Sequence, residues 1–119
     1  MQRSSNKYHR AKYHAQPTVV DNIRFHSRGE ARRYCDLKLL QRAGEITNLK
    51  WQVKFPLYAF RLGRKTKRKV CDWIADFTYL EGPGDGVLIV EDFKGYRTQT
   101  YKLKKRLFEE QYGIQIRET

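Results

Sequence analysis

The strongest structural signal in this sequence is the segment RKVCDWIADFTYLEGPGDGVLIVEDFK, residues 68–94. Residues 68–79 are rich in β-branched and aromatic side chains, which is typical of a strand. The run EGPGDG at 81–86 cannot continue a strand and predicts a turn. Residues 87–90, VLIV, are apolar on both faces and predict a central strand. The segment therefore predicts two neighbouring strands joined by a short connection.

The alternation of side chains along these strands brings three charged residues together. The odd-numbered residues from 71 to 79 are almost all apolar and belong on a core, so Asp76 lies on the opposite face. In the next strand Asp92 and Lys94 share a face, and Glu91 points to the other one. Unpaired charges on a sheet face lower the stability of a protein, so their presence suggests a function. Metal-dependent phosphodiester hydrolysis is a function that requires such residues. Two carboxylates would hold Mg²⁺, and the lysine would steady the developing charge or help to deprotonate water.

The flanking sequence predicts the rest of a mixed α/β domain in the order helix, three strands, helix, strand. Ser27 and Glu30 fit a capping box at the start of the first helix, and Gly44 ends it. The predicted elements are a short hairpin around Asp21-Asn22, a helix from Ser27 to Ala43, strands Trp51–Leu62 and Arg68–Tyr79 with a basic loop at 63–67, a strand at 87–90, a helix over Thr98–Tyr112 and a last strand Ile114–Arg117.

Length, charge and cysteine content narrow the class of protein. The 119 residues support one domain, which we place at 17–119, preceded by a flexible basic arm at 1–16. A net charge of +12 favours a polyanionic partner, most commonly nucleic acid. No apolar run approaches the roughly 20 residues of a membrane span, and the N-terminus lacks the apolar stretch of a secretory signal. Cys35 and Cys71 lack CxxC spacing, which favours a reducing, cytoplasmic setting and argues against a Cys-based zinc site.

With Asp76 followed by Asp92-Phe93-Lys94, the sequence resembles the PD-(D/E)XK nucleases. Ser27-Arg28-Gly29-Glu30 resembles the helix-opening motif that supplies a first acidic ligand in many of them, and the likeness covers roughly residues 18–117. Within the family the chain is most similar to small uncharacterised phage-encoded proteins, with further similarity to Holliday junction resolvases and transposon-end nucleases. Ala75 departs from the pattern, because the name-giving proline would stand there.

The resemblance implies a restriction-endonuclease-like α-β-β-β-α-β core and cleavage of DNA with Mg²⁺ or Mn²⁺, often by a homodimer. Glu30, Asp76 and Asp92 would then hold the metal and Lys94 would assist the chemistry. The resemblance also suggests branched DNA, such as a Holliday junction, as a substrate. If the chain is phage-encoded, it would act in the host cell cytoplasm.

Each candidate also has a simpler interpretation. Glu30 at the third helical position stabilises a helix start by about 1 kcal/mol without any catalytic role, although it shares a stripe with Tyr34 and Leu37. Asp76 fits a solvated sheet face, and Asp92 with Lys94 fits a local ion pair. Lys104 lies in the inward stripe of the second helix, where it would either reach a phosphate or snorkel past the sheet edge.

The basic segments are predicted to contact the DNA backbone without reading bases. The predicted contacts are Arg64, Lys65, Lys67, Arg97 and Lys102. The alternative to a nuclease is a non-catalytic nucleic-acid-binding module with the same fold, and an RNA-cutting enzyme is a variant of the first hypothesis.

Overall fold

A four-stranded mixed sheet forms the centre of the computed structural model, which describes residues 16–93 and 98–119. The elements run β1 (Thr18–Val20), β2 (Ile23–Phe25), α1 (Arg28–Arg42), β3 (Ile46–Phe60), β4 (Lys67–Glu81), β5 (Val87–Asp92), α2 (Gln99–Tyr112) and β6 (Ile116–Glu118). The sheet order is β3-β4-β5-β6, antiparallel except for the parallel pair β5–β6. The predicted order of helix, three strands, helix and strand is confirmed, with β5 an inner strand as expected. None of the helices in the described residues is long and apolar enough to cross a membrane.

The local start and stop signals act as the sequence predicted. Asp21 and Asn22 adopt φ values of +53° and +64°, the conformation that a two-residue hairpin turn requires, and they join β1 to β2. Ser27 caps α1 by accepting a hydrogen bond from the Glu30 amide at 3.1 Å, and Ala43 ends that helix. Thr98 caps α2 through the Tyr101 amide, and Gly113 ends it in the left-handed region.

The β3–β4 hairpin is longer than predicted. β3 begins at Ile46 instead of Trp51, because the pairing continues through an irregularity between Thr47 and Lys50 that includes Asn48 at φ +57°. Such a bulge interrupts the alternation on which the sequence prediction depended. β5 pairs with β4 only from Phe77 to Glu81, so the outer part of the hairpin is two-stranded. We call residues 58–69, the outermost part of this hairpin, the hairpin arm.

Two apolar clusters form the core. The first lies under α1 and includes Phe25, Tyr34, Leu37, Phe77 and Tyr79, and the second lies under α2 and includes Leu57, Trp73, Ala75, Val90 and Phe108. The odd-numbered residues of β4 from Trp73 to Tyr79 are buried, as predicted, but they do not form one core face. They belong to two clusters, and the change falls between Ala75 and Phe77, at Asp76. Opposite that point, Gln52 of β3 adopts φ +54°, which is unusual for a residue within a strand. The hairpin therefore changes its packing partner at the level of Asp76.

Helix α2 makes polar contacts with β6. Lys105 Nζ lies 3.3 Å from Glu118, and Glu109 accepts a 2.9 Å hydrogen bond from the Ile116 amide. Tyr101 is buried and donates a 2.6 Å hydrogen bond to Glu118. The short strand β6 provides these polar partners, and a helical pattern alone does not reveal them.

The outer edge of β3 is partly covered by α2. Gln111 accepts a hydrogen bond from the Tyr58 amide at 3.1 Å and donates one to the Tyr58 carbonyl at 2.6 Å. The Tyr112 hydroxyl donates to the carbonyl of Pro56, a residue with no amide hydrogen of its own. The Gln111 amide thus makes the pair of bonds that a neighbouring strand would make.

Candidate active site

Asp76 and Asp92 lie where the pairing of β4 and β5 ends. Phe77 and Glu91 are the last pair of the antiparallel register, and Asp76 and Asp92 are the next residues of the two strands. Asp92 is 1% exposed, whereas Asp76 is half-buried. The two strands therefore bring both predicted carboxylates to the same end of the β4–β5 pairing.

A hydrogen bond joins the end of β5 to the side chain of Asp76. The Phe93 amide donates a 2.7 Å hydrogen bond to Oδ2 of Asp76, so a side-chain oxygen serves where a strand carbonyl would otherwise accept. A bond from a backbone amide to a carboxylate is of the stronger, charge-assisted kind. It orients the Asp76 carboxylate and fixes the backbone just after Asp92.

The start of α1 meets the same strand end through Gly29 and Phe93. A Cβ built on Gly29 would overlap with the Phe93 ring, so a larger residue at position 29 would require this ring to move. The next residue, Glu30, is 7% exposed and buried in line with Tyr34 and Leu37, as the predicted stripe requires. Nδ1 of His26 lies 3.9 Å from Oε1 of Glu30. The start of the helix, and Glu30 with it, is thereby held next to the end of β5.

Glu91 has a structural role on the opposite side of β5. Its fully buried carboxylate forms a bidentate pair with Arg33, at 2.6 and 2.9 Å, and accepts a 2.6 Å hydrogen bond from the Tyr79 hydroxyl. Burial, reinforced by the hydrogen bond to Glu91, raises the pKa of Tyr79 to about 12. The hydrogen bond to Glu91 likewise raises the pKa of Arg33. The arginine of α1 thus anchors the strand that carries Asp92.

Asp92 and Lys104 line one cleft. This cleft has a volume of about 290 Å³, and its walls are Trp73, Ile74, Asp92, Thr98, Thr100, Tyr101 and Lys104. Lys104 is half-buried on the side of α2 that lines this cleft with Asp92. Lys94 and Arg97, which were predicted to assist catalysis and to bind DNA, lie outside the described residues.

Asp76 and Asp92 have the type of ligand atom that a hard cation prefers. Asp76 and Asp92 offer oxygen ligands from adjacent strands, and Mg²⁺ in proteins is commonly bound by one or two carboxylates, with waters and substrate phosphates completing its shell. Within residues 16–93 and 98–119, no group of three or more His, Cys, Asp or Glu side chains is placed to hold an ion together. Glu30 as a third ligand therefore stays a prediction.

The predicted DNA contacts lie on exposed surface. Arg64, Lys65 and Lys67 are exposed on the hairpin arm, and Lys102 is exposed on α2. The arm carries six lysines and arginines and no acidic residue over residues 58–69. The Lys67 ammonium lies 4.1 Å from the centre of the Tyr58 ring, a cation–π contact.

Sequence reasoning missed Gly29, Arg33 and Glu91 as parts of this site. Gly29 had a visible signal, because glycine weakens the first turn of a helix and its presence there suggests a close approach. Arg33 and Glu91 are 58 residues apart, and no local pattern links them.

The comparisons with known proteins identify a family without an assigned function. The model of DUF1064, described as a protein of unknown function, matches residues 10–119. No curated protein and no solved structure gave a significant match. Because the match spans nearly the whole chain, including both carboxylate strands and both helices, this protein belongs to the DUF1064 family.

Proposed function

We propose that this protein is a metal-dependent endonuclease of the PD-(D/E)XK type that hydrolyses phosphodiester bonds in DNA. The observation that carries the proposal is the placement of Asp76 and Asp92 where the β4–β5 pairing ends, with the Phe93 amide bonded to Asp76 and with Asp92 in a cleft that also contains Lys104. A sheet end that holds two carboxylates beside a lysine is costly in stability and suits phosphate chemistry.

Asp76 and Asp92 would hold Mg²⁺ or Mn²⁺, with Glu30 as the third predicted ligand. The bound ion would polarise the scissile phosphate and lower the pKa of a water nucleophile. The chain itself contributes orientation, since the Phe93 amide fixes the Asp76 carboxylate. Lys94 would steady the developing charge or help to deprotonate the attacking water, and Lys104 would reach the phosphate from α2.

The architecture supports the same assignment. The order α1-β3-β4-β5-α2-β6 and the mixed sheet with its parallel β5–β6 pair are those expected of a restriction-endonuclease-like core. In that arrangement the acidic pair is expected on the two middle strands and the first acidic ligand at the start of the preceding helix, where Glu30 lies next to the Gly29–Phe93 contact.

The charge distribution supports DNA as the substrate. The net charge of +12 and the six cations of the hairpin arm provide a surface for the phosphate backbone. We further propose a homodimer with one active site per strand, since a small chain that recognises a branched, two-fold symmetric DNA would use matching symmetry. Cys35 and Cys71 are free thiols, which suits the predicted cytoplasmic setting.

The test is a cleavage assay with linear duplex, flapped and four-way-junction DNA in Mg²⁺, Mn²⁺ or EDTA. We expect metal-dependent cutting that falls at least about 100-fold in Asp76→Asn, because a metal ligand matters at least as much as the groups that support it. Asp72→Asn is the matched control, since Asp72 lies on the same strand four residues earlier and pairs with Lys69.

Tight binding without cutting of any substrate in either metal would overturn the nuclease proposal and leave a non-catalytic binding module. Cutting restricted to RNA would keep the chemistry and correct the substrate.

A further inference from the structure

A second cleft lies between the hairpin arm and the C-terminal half of α2. Its volume of about 640 Å³ is more than twice that of the cleft at Asp92, and its walls are Tyr58, Ala59, Phe60, Lys67, Leu107, Gln111 and Tyr112. Sites for small organic groups have volumes of about 300–1,000 Å³ and mostly apolar walls. The cleft therefore has the size and the lining of a site for a flat organic ring.

One aromatic ring in this cleft is available for stacking. Tyr112 already stacks on Phe108, with ring centres 4.9 Å apart, and the Tyr58 ring carries the Lys67 ammonium. The Phe60 side chain is 66% exposed and contacts no other aromatic ring within the part of the chain that the structure describes. This exposed ring provides apolar aromatic surface that a planar partner would cover by stacking.

The polar and charged groups at the cleft favour a negatively charged ligand, but they do not distinguish one base from another. Both ends of the Gln111 amide are bonded to the Tyr58 backbone, so this side chain is committed to the fold. Lys67 lines the cleft and five further cations lie on the same hairpin arm, while the nearest acidic residue along β4, Asp72, already pairs with Lys69 at 3.1 Å. A flat apolar ring attached to phosphates fits these surroundings, and an acidic or neutral protein segment offers no such combination.

We propose that this cleft binds an unstacked nucleobase on the Phe60 ring, while the cations of the hairpin arm contact the phosphates on either side. The inference rests on the proposed function in taking DNA as the ligand, and it names the substrate class: DNA with an unpaired base, as at a bulge, flap or branch. Stacking of single bases on aromatic side chains tolerates any sequence, which agrees with the absence of an uncommitted amide in the cleft.

The experiment measures binding of the full chain in EDTA to two DNA duplexes that differ only in one unpaired thymine. We expect the bulged duplex to bind at least about fivefold more tightly, the lower end of the effect of one stacked base. Phe60→Ala should abolish this preference and leave the affinity for the paired duplex unchanged, and Phe60→Tyr should retain it. Leu103→Ala is the matched control, since Leu103 is 69% exposed on α2 and does not line the cleft.

A second measurement locates the base. With 5-iodouracil in the bulge, irradiation should crosslink the DNA to the segment that contains Phe60, as mapped by mass spectrometry. Equal affinity of the native chain for both duplexes, or an equal loss for both in Phe60→Ala, would overturn the inference. Because binding is measured without metal, a chain that cuts no DNA can still pass this test, and a true nuclease can still fail it.

Discussion

The amide of Phe93 donates its hydrogen bond to Oδ2 of Asp76, 17 residues earlier in the chain. This bond has two effects at once: it orients a candidate metal ligand, and it fixes the position at which the chain leaves β5. The ring of the same phenylalanine packs against Gly29 at the start of α1. One residue between Asp92 and Lys94 therefore connects three parts of the candidate site.

Gly29→Ala should destabilise the protein by about 1–3 kcal/mol, the usual cost of forcing extra volume into a packed contact. The direction of this change in stability is informative, because alanine normally stabilises a helical position relative to glycine by about 0.5–1 kcal/mol. Denaturant unfolding monitored by circular dichroism measures the change.

The control for that substitution is a double-mutant cycle with Phe93→Ala, which removes the ring. Gly29→Ala should then cost much less or become stabilising. An unchanged penalty in the Phe93→Ala background would show that the contact is not the cause.

Glu91→Gln should lower the free energy of unfolding by about 3 kcal/mol, since it leaves Arg33 without its buried counter-charge. The value is at the lower end for a buried pair because the Arg33 side chain keeps a quarter of its surface in water. Glu81→Gln is the matched control: Glu81 pairs with Arg117 at the surface, where such a pair contributes less than about 1 kcal/mol. Equal losses in the two variants would contradict the structural role of Glu91.

The order of elements was predictable because its signals are local. Ser27 and Gly44, Asp21-Asn22 and Thr98 with Gly113 mark boundaries through backbone chemistry that acts within a few residues, and the structure agrees with each of them. The exposure of Val87 and Leu88, at 67% and 41%, was not predictable in this way. Whether the first residues of an apolar strand are covered by other parts of the protein depends on where distant helices end.

The candidate site was predictable in part for the same reason. The alternation of side chains separated Asp92 from Glu91, and the structure agrees, because Glu91 bonds to Arg33 of α1 whereas Asp92 lines the cleft with Lys104 of α2. The partner of Glu91 could not be predicted, because Arg33 reaches it only after α1 packs on the sheet. The shared cleft of Asp92 and Lys104 likewise depends on how α2 crosses the sheet.

Lys104→Gln should lower kcat for DNA cleavage by about 100-fold with little change in KM, if its charge acts on the transition state. Lys102→Gln, two residues away and exposed, should instead weaken DNA binding and leave kcat unchanged. Steady-state kinetics on a short labelled duplex separates the two. A purely electrostatic surface role for Lys104 would give the same weakening of binding in both variants.

Arg64→Gln and Lys65→Gln should each reduce the slope of log affinity against log salt concentration by about one, as expected for a lost phosphate contact. Fluorescence anisotropy across a range of salt concentrations in EDTA measures the slope. Arg42→Gln, which removes an exposed charge at the end of α1, should leave it unchanged. A slope that is insensitive to both arm variants would exclude the arm from the DNA contact.

Stability should fall as the pH rises from about 10 to about 12. Burial raises the pKa of Tyr34, which donates to Asp21, and that of Tyr79 to about 12, whereas an unfolded tyrosine titrates near 10. The folded state therefore holds these protons longer than the unfolded state, so the stabilisation is complete below pH 10 and is lost through pH 12.

Absorbance of tyrosinate at high pH, combined with denaturant unfolding, follows both processes. Tyr34→Phe and Tyr79→Phe should each flatten the dependence on pH over this window. A dependence that is as steep in both variants as in the native chain would assign the loss of stability to other groups.

The bonds between Gln111 and Tyr58 bear on how the protein avoids aggregation. β3 is an edge strand, and a long exposed edge is a template on which further chains can add strands. The Gln111 side chain occupies the donor and the acceptor of Tyr58, and Pro56 offers no donor two residues earlier. A strand from another copy of the chain would have to displace α2 before it could pair there, so the edge of β3 at Pro56 and Tyr58 is closed to fibril growth while the rest of the basic arm remains free for its own partner.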